Sequence, residues 1–216
     1  RLVSLMMAHI NEREKNNHMM IDIQSHIVEF RNGESGKHVF HMDKVIQLLL
    51  DKIVQKTDKY PSLWQERILI RTASALHDIG KIGIDEAILN KPGRLTAEEF
   101  ESMKAHTTIG ADMLRNLPRY QEERILQIAI EICRWHHERY DGKGYPDGLV
   151  GDEIPISAQL VSIADVYDAL TSERVYKKAF SHEKAMQMIR EGECGAFNPL
   201  LLSCLEEIAD ELQAEM

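Results

Sequence analysis

Hydrophobic residues recur every three or four positions along most of the chain, which is the spacing of one face of an α-helix. The recurrence is clearest in three stretches: Met42, Val45, Ile46 and Leu49; Ile125, Ile128, Ala129 and Ile132; and Ala158 to Leu170. No stretch shows the convincing alternation of polar and apolar residues that is typical of a half-buried strand. The pattern therefore predicts an all-α bundle of roughly eight helices.

Helix starts are marked by side chains that can accept a hydrogen bond from the first free backbone N–H groups. Such starts stand at Ser62 to Gln65, at Thr96 to Glu99, at Ser181, and at Asn198 before Pro199. The first two have the spacing of a capping box. We expect the helix after Thr96 to carry Phe100, Met103 and Gly110 on one face.

The first 30 residues differ from the rest of the chain. Met20, Ile23, Ile27 and Phe30 recur at helical spacing, and this pattern stops at Asn32 and Gly33. Positions 11–18 are polar. We interpret residues 1–30 as a helical lead-in or a linker from an upstream domain, and residues 31–216 as the main domain. A solvated surface helix explains the polar stretch equally well.

Charge and composition narrow the range of partners. The chain has 216 residues and a formal net charge of −9, so the phosphate backbone of a long nucleic acid would repel it. No apolar run approaches the roughly 18 residues needed to span a bilayer, and no basic-then-apolar pattern indicates secretion. Three cysteines without a CxxC pair predict reduced thiols. We therefore expect a cytoplasmic protein without membrane insertion.

Imidazoles and carboxylates stand on the apolar faces of several predicted helices. His77 lies four residues after Ala73, and the pair His77-Asp78 is expected to end that helix. The other inward positions are His106, His136, Asp165, and His38 with Glu34 one turn before it. Each histidine taken alone fits a hydrogen-bonded core position. Together they predict a metal site, and imidazole with carboxylate but no thiolate suits iron, manganese or zinc.

A long loop from Asp141 to Pro155 separates two apolar helices and contains four glycines and two prolines. Loops this rich in special backbone residues are more often functional than mere connectors. A tyrosine in such a loop, Tyr145, could stack on a base, although it could equally be an anchor.

Several long motifs occur in one order along the chain. They are Leu-His77-Asp78-Ile-Gly-Lys81, Lys-Pro-Gly-Arg-Leu-Thr, His106, His136-His137-Glu-Arg-Tyr-Asp141-Gly-Lys-Gly144-Tyr145-Pro146, Ile-Ala-Asp165-Val-Tyr-Asp-Ala-Leu-Thr-Ser, and Arg174-Val-Tyr-Lys177. Between about Arg31 and about Pro199, the chain closely resembles the HD-GYP subgroup of the HD phosphohydrolases. The resemblance implies that residues 31–216 are a catalytic domain that hydrolyses cyclic di-GMP to linear pGpG and, in some members, to GMP. Some members prefer a cyclic GMP-AMP dinucleotide.

The resemblance also implies roles for individual residues. The implied metal ligands are His38, His77, Asp78, His106, His136, His137 and Asp165. Asp78 would bridge two ions, and Glu34 would bind a third. Lys81 would lie near the scissile phosphate and act with His77 and Asp78 in catalysis. Tyr145, Arg174 and Lys177 would bind substrate. Two or three transition-metal ions are expected, iron or manganese before zinc, nickel or magnesium. An upstream sensory or receiver domain is expected too, and the lead-in is compatible with a homodimer.

One position departs from the family pattern. The family usually has an arginine three residues after the first ligand histidine, and this chain has His41 there. Its replacement could weaken a structural ion pair or an interface, which is the interpretation that we favour, or could place an extra imidazole near the site. Two other functions stay open: an HD hydrolase acting on a mononucleotide, and a non-catalytic module that binds a cyclic dinucleotide or a protein.

Overall fold

A computed structural model of the protein describes residues 37–173 and 178–215, together with Met19, Ile21, Val28 and Arg31, which are helical. The rest of the predicted lead-in lies outside the described residues, as do Glu34, Arg174 and Lys177. Within the described part of the chain, no helix combines the length and the apolarity needed to cross a membrane.

The described ranges form ten α-helices, eight of which have eight or more residues. In chain order, they are α1 (His38–Lys56), α2 (Leu63–Ser74), α3 (Glu86–Leu89), α4 (Ala97–Lys104), α5 (His106–Arg115), α6 (Arg124–Trp135), α7 (Ile156–Thr171), α8 (His182–Arg190), α9 (Pro199–Glu207) and α10 (Ala209–Glu215). Short 3₁₀ turns cover Ile79–Gly83, Pro118–Tyr120 and Gly151–Glu153. The described residues contain no strand longer than the bridge between Asp141 and Val150. The prediction of an all-α bundle is confirmed.

The core lies where α1 packs on α2 and α7, and α6 packs on α2, α5 and α7. The apolar stripes that predicted these helices supply its fully buried residues, including Leu49, Ile132 and Ile163. Burying one such side chain contributes about 1.5–3 kcal/mol. This packing holds the ends of four helices close together, and the polar site forms there.

The two predicted capping boxes have different outcomes. At Thr96 the box is present: the Thr96 hydroxyl accepts from the N–H of Glu99, and the Glu99 carboxylate accepts from the N–H of Thr96. At Ser62 the prediction is wrong, because the side chain makes no capping hydrogen bond. The Ser62 backbone is already helical (φ −75°, ψ −21°), whereas a capping residue usually has the extended backbone that Thr96 adopts (φ −68°, ψ 169°).

The helix predicted after Thr96 is in fact two helices, because α4 ends at Lys104 and α5 begins at His106. Phe100 and Gly110 therefore do not share a buried face: Phe100 is 46% exposed, and Gly110 is buried. A Cβ atom on Gly80 would lie 1.9 Å from the carbonyl oxygen of His106, so only glycine permits this approach. The close contact brings the start of α5 against the turn that follows Asp78.

Candidate metal centre

Four histidines are buried where helices of the bundle begin or end. His38 is the first residue of α1, His106 is the first of α5, and His136 directly follows α6. His77 lies in the turn after α2. None of the four is more than 5% exposed. Burying so many ionisable groups is costly unless they pair with one another or bind a cation.

The pair His77-Asp78 was expected to end its helix, but α2 already ends at Ser74. The chain then turns, and the 3₁₀ turn Ile79–Gly83 follows Asp78 directly. His77 still points inward, because Nδ1 of its ring lies 2.9 Å from the carbonyl oxygen of Ser74. The turn places His77 and Asp78 side by side, with 3.2 Å between His77 Nε2 and Asp78 Oδ2.

These four histidines present the same ring nitrogen to the site. Nδ1 of His106 lies 2.7 Å from the carbonyl oxygen of Met103, and Nδ1 of His136 lies 2.9 Å from that of Ile132. A carbonyl oxygen only accepts, so Nδ1 carries the proton in both rings, as it does in His77. In His38, Nδ1 faces a carboxylate oxygen of Asp168 at 2.6 Å, which calls for the same proton. In its neutral form, each of these rings turns an Nε2 lone pair inward.

The predicted ligand residues fall into two groups. Within each group, the ligand atoms all lie within 4.8 Å of one another. The Asp78 cluster consists of Asp78, His106, His136 and His137, and the His38 cluster consists of His38, His77 and Asp165. Seven of the eight residues predicted as metal ligands are thus brought together; the eighth, Glu34, lies outside the described residues.

Asp78 connects the two clusters. Its Oδ1 atom lies 3.3 Å from His106 Nε2 and 3.8 Å from His136 Nε2, while its Oδ2 atom faces His77 of the other cluster. The ammonium of Lys81 lies 2.6 Å from the same Oδ2 atom, and the Lys81 side chain is only 15% exposed. A nearly buried positive charge therefore stands beside the carboxylate that the two clusters share.

The unsatisfied atoms fit bound cations. Among the described residues, Nε2 of His77 and Oδ1 of Asp78 make no hydrogen bond, although both atoms are buried and have polar neighbours at 3.2 and 3.3 Å. Nε2 of His106 also faces Nε2 of His136 at 3.5 Å, so two inward lone pairs meet. Buried native polar atoms nearly always have a partner. Metal ions bound to these imidazole and carboxylate atoms would satisfy them, and we conclude that the residues fit a metal centre.

The pKa shifts agree with this conclusion. Burial lowers the pKa of His106 and His137, and burial together with His77 lowers the pKa of His136 to about 3. These rings are neutral near pH 7, the form that binds metals. Burial opposes a charge on His77 too, but the carboxylate of Asp78 outweighs it and raises the pKa of His77 to about 9. The Asp78 carboxylate thus stabilises a positive charge at the His77 ring.

Asp168 was not predicted as a site residue, yet it organises one edge of the His38 cluster. It is 1% exposed and lies one turn after Asp165 on α7, a spacing that could have pointed to it. Nδ1 of His41 lies 2.9 Å from Asp168 Oδ1. His41 thus pairs with a structural carboxylate and also places an extra imidazole one carboxylate away from His38, so both interpretations of this position stay open.

The predicted loop is held by another residue that was not predicted, Glu138. This carboxylate is 3% exposed and accepts hydrogen bonds from the N–H groups of Asp147, Gly148 and Leu149, at 2.7, 3.0 and 3.1 Å. The loop packs so closely on it that a Cβ on Gly144 would lie 2.4 Å from the Cα of Glu138. Tyr145 follows, joined to Pro146 by a cis peptide bond.

The loop brings Tyr145 to the Asp78 cluster. The Tyr145 ring lies 4.8 Å from that of His137, with 31° between their planes. Two residues of α4 also lie near the Tyr145 ring: Phe100, edge-on at 6.4 Å, and Lys104, whose ammonium is 5.5 Å from the ring centroid. An aromatic wall with a cation thus adjoins the cluster. Phe100 and Lys104 were not predicted, since nothing in the sequence relates α4 to the loop.

The sequence of this chain is similar to a known domain family and to proteins of known activity. The HD domain family matches residues 22–199 of the chain. The chain is 39% identical over 206 residues to a cyclic di-GMP phosphodiesterase of Vibrio cholerae serotype O1, covering 94% of this chain and 42% of that protein. It is 34% identical over 224 residues to the 3'3'-cGAMP-specific phosphodiesterase 2 of the same organism, covering 99% and 41%. The chain therefore spans less than half the length of these relatives.

The fold also resembles a solved structure, that of Bd1817, an HDG"Y"P protein from Bdellovibrio bacteriovorus. The TM-score is 0.59, and the match covers 91% of this chain and 64% of that one. The two sequences are 18% identical, so this likeness shows a shared fold and no more.

Proposed function

Because this chain belongs to the HD domain family, in its HD-GYP branch, we propose that it is a metal-dependent phosphodiesterase that hydrolyses cyclic di-GMP. The observation that carries the proposal is the carboxylate of Asp78, shared by two histidine-containing clusters and contacted by Lys81 at 2.6 Å. Phosphodiester hydrolysis requires a site that gathers positive charge around a phosphate, and this arrangement suits such a site.

The metal ligands of this enzyme are the seven residues of the two clusters. They would hold two ions, with Asp78 as a ligand common to both clusters, and Glu34 would bind a third. Iron or manganese matches the imidazole and carboxylate donors, and zinc, nickel or magnesium would also be bound. When bound, such ions neutralise charge on the phosphodiester and activate water near neutral pH.

Lys81 stabilises the charge that develops during the reaction. Negative charge builds on the phosphate oxygens as water adds to phosphorus, and a nearly buried ammonium is effective there because little solvent screens it. The P–O3′ bond then breaks; the water oxygen stays on phosphorus, and a proton ends on the 3′ oxygen. The product is linear pGpG, and a second hydrolysis would give GMP.

The aromatic wall beside the Asp78 cluster binds a guanine base. Tyr145 and the exposed ring of Phe100 offer apolar surface, and an aromatic contact to a base is worth about 1–3 kcal/mol. Lys104 at the same wall is paired with Glu101 at 2.6 Å and would have to leave that partner to contact an anionic substrate. Arg174 would grip a phosphate with its planar guanidinium, and Lys177 would act as a point charge.

Turnover measurements on protein purified and metal-loaded without oxygen test the proposal. We expect cyclic di-GMP to be converted to pGpG, and Arg174→Ala mainly to raise KM. The exposed Asp112, paired with Arg115 on α5, gives a matched control for the site carboxylate: Asp112→Asn should keep full activity and Asp78→Asn should not. Faster turnover of a mononucleotide or of single-stranded RNA would refute the substrate assignment.

Cyclic GMP-AMP is the main competing substrate, because the 3'3'-cGAMP-specific relative described above is similar to this chain. Parallel assays with both dinucleotides decide between them. A module that binds a dinucleotide without cutting it would show binding and no product in the same assays. The seven predicted ligand residues that meet in the two clusters favour the enzyme.

The number of metal ions is tested through Glu34. We expect three ions per chain in the parent, and a Glu34→Ala variant that keeps two and loses most activity. An unchanged metal count in the variant would make Glu34 a surface charge near a helix start. Two ions in the parent would do the same and would leave a two-metal enzyme. An upstream sensory or receiver domain, a homodimer and a cytoplasmic location stay predictions of the sequence.

A further inference from the structure

Asp168 uses both of its oxygen atoms inside the protein. Oδ2 lies 2.6 Å from Nδ1 of His38, while Oδ1 lies 2.9 Å from Nδ1 of His41 and accepts from the hydroxyl of Ser172 at 2.7 Å. A carboxylate that is 1% exposed depends on such donors, because almost no water reaches it. Among the described residues, His41 is thus one of three side chains that hold this group in place.

We propose that His41 is a positioning residue of the metal centre, acting on His38 through Asp168. Its hydrogen bond holds Oδ1, which keeps Oδ2 aimed at Nδ1 of His38. That bond in turn fixes the His38 ring so that Nε2 points toward Asp165, 3.7 Å away. The proposal rests on the proposed metal site, and it concerns the position where the family usually has an arginine.

The geometry separates this role from that of a metal ligand. Nδ1 of His41 is committed to Asp168, and His41 belongs to neither group of atoms that lie within reach of a common ion. Its side chain is 20% exposed, against 5% for His38, so it stands on the outer side of the carboxylate. Losing such an outer partner typically costs about 10- to 100-fold in metal affinity or activity.

Variants of His41 that differ only in hydrogen bonding test the proposal. Asparagine can place an amide N–H near the position of Nδ1, whereas leucine has similar bulk and no donor. We expect His41→Leu to weaken the affinity for Mn²⁺ by roughly 10-fold at one class of site. His41→Asn and His41→Arg should restore most of it, because both can donate to Oδ1.

The measurement is competition of each variant with a chromogenic chelator for Mn²⁺ alone, with thermal unfolding of the metal-free proteins as a check on folding. His182→Leu is the control, because His182 is also bound through Nδ1, but to the hydroxyl of Tyr167. It should bind Mn²⁺ as the parent does. Equal Mn²⁺ affinity in parent and His41→Leu would overturn the positioning role, as would failure of both donor variants to rescue.

The same titrations keep this proposal apart from the proposed reaction. A parent that binds Mn²⁺ but cuts no cyclic dinucleotide would refute the enzyme assignment, and a 10-fold loss in His41→Leu would still support the role of His41. A parent that hydrolyses cyclic di-GMP, with His41→Leu binding Mn²⁺ equally well, would refute His41 alone. A parent that binds no metal would refute both.

Discussion

The two ligand clusters hold their histidines by different means. In the Asp78 cluster, His106 and His136 each donate to a carbonyl oxygen three or four residues earlier in the chain. In the His38 cluster, His38 donates to Asp168, which is 130 residues away. His77 of that cluster is held locally by Ser74, so the difference lies in His38. The ring orientations of the first cluster form with its own helices, whereas His38 needs α1 packed against α7.

The largest effect is expected from Asp78→Asn, which removes the carboxylate that the two clusters share. Both clusters should lose metal, since an amide cannot replace a carboxylate that faces both of them. Activity should fall by at least about 10³-fold, more than the 10- to 100-fold typical of losing an outer partner. Metal content and cyclic di-GMP turnover measure this. A variant that retained its full metal content would show that the clusters do not share Asp78.

The next largest effect should come from Asp168→Asn, which should weaken metal binding in the His38 cluster and leave the Asp78 cluster unchanged. The amide still accepts from one histidine, but its NH₂ group opposes the other donor. We expect one class of metal site to weaken by about 10- to 100-fold while the other keeps its affinity. Titration of the variant with Mn²⁺, resolving both classes of metal site, measures this. Equal weakening of the two would mean that the clusters are coupled and that their different supports do not matter.

The substitution Glu138→Gln tests whether the Asp78 cluster also depends on the loop from Asp141 to Pro155. The amide would face an N–H donor of the loop, at an estimated cost of about 1–3 kcal/mol in the free energy of unfolding. KM for cyclic di-GMP should rise because Tyr145 is less well held, with unchanged metal content. Chemical denaturation and kinetics measure these, with the exposed Glu122→Gln as control. Loss of metal would show that the loop supports the cluster.

The smallest effect is expected from Phe100→Ala, which leaves both clusters intact and removes one ring of the aromatic wall. Aromatic pairs contribute about 0.5–1.5 kcal/mol beyond area burial, so KM should rise roughly 2- to 10-fold with little change in kcat. Trp64, which is 60% exposed on α2, provides the control variant Trp64→Ala. Equal KM values in parent and Phe100→Ala would remove Phe100 from the substrate site.

The fold was largely predictable because helical periodicity and end signals act within a few residues. Thr96 and Glu99 form their capping box from neighbouring atoms alone, and the inward position of His136 follows from the apolar face of α6 before it. Ser62 shows where such signals fail: its box requires an extended backbone that the preceding turn does not provide. The break at Ala105 likewise depends on the packing of α5 against Gly80, and a pattern of spacings does not contain that information.

For the site, the sequence by itself determined which residue types could bind metals and that several of them continue apolar patterns, because both depend on local spacing. Only the tertiary structure decided how they divide into two clusters, that Asp78 lies between these, and that Asp168 joins His38 to His41. The same holds for Glu138 under the loop and for Phe100 beside Tyr145. These contacts join side chains of different helices and loops, and their distances exist only once the apolar faces have packed and excluded water from the core.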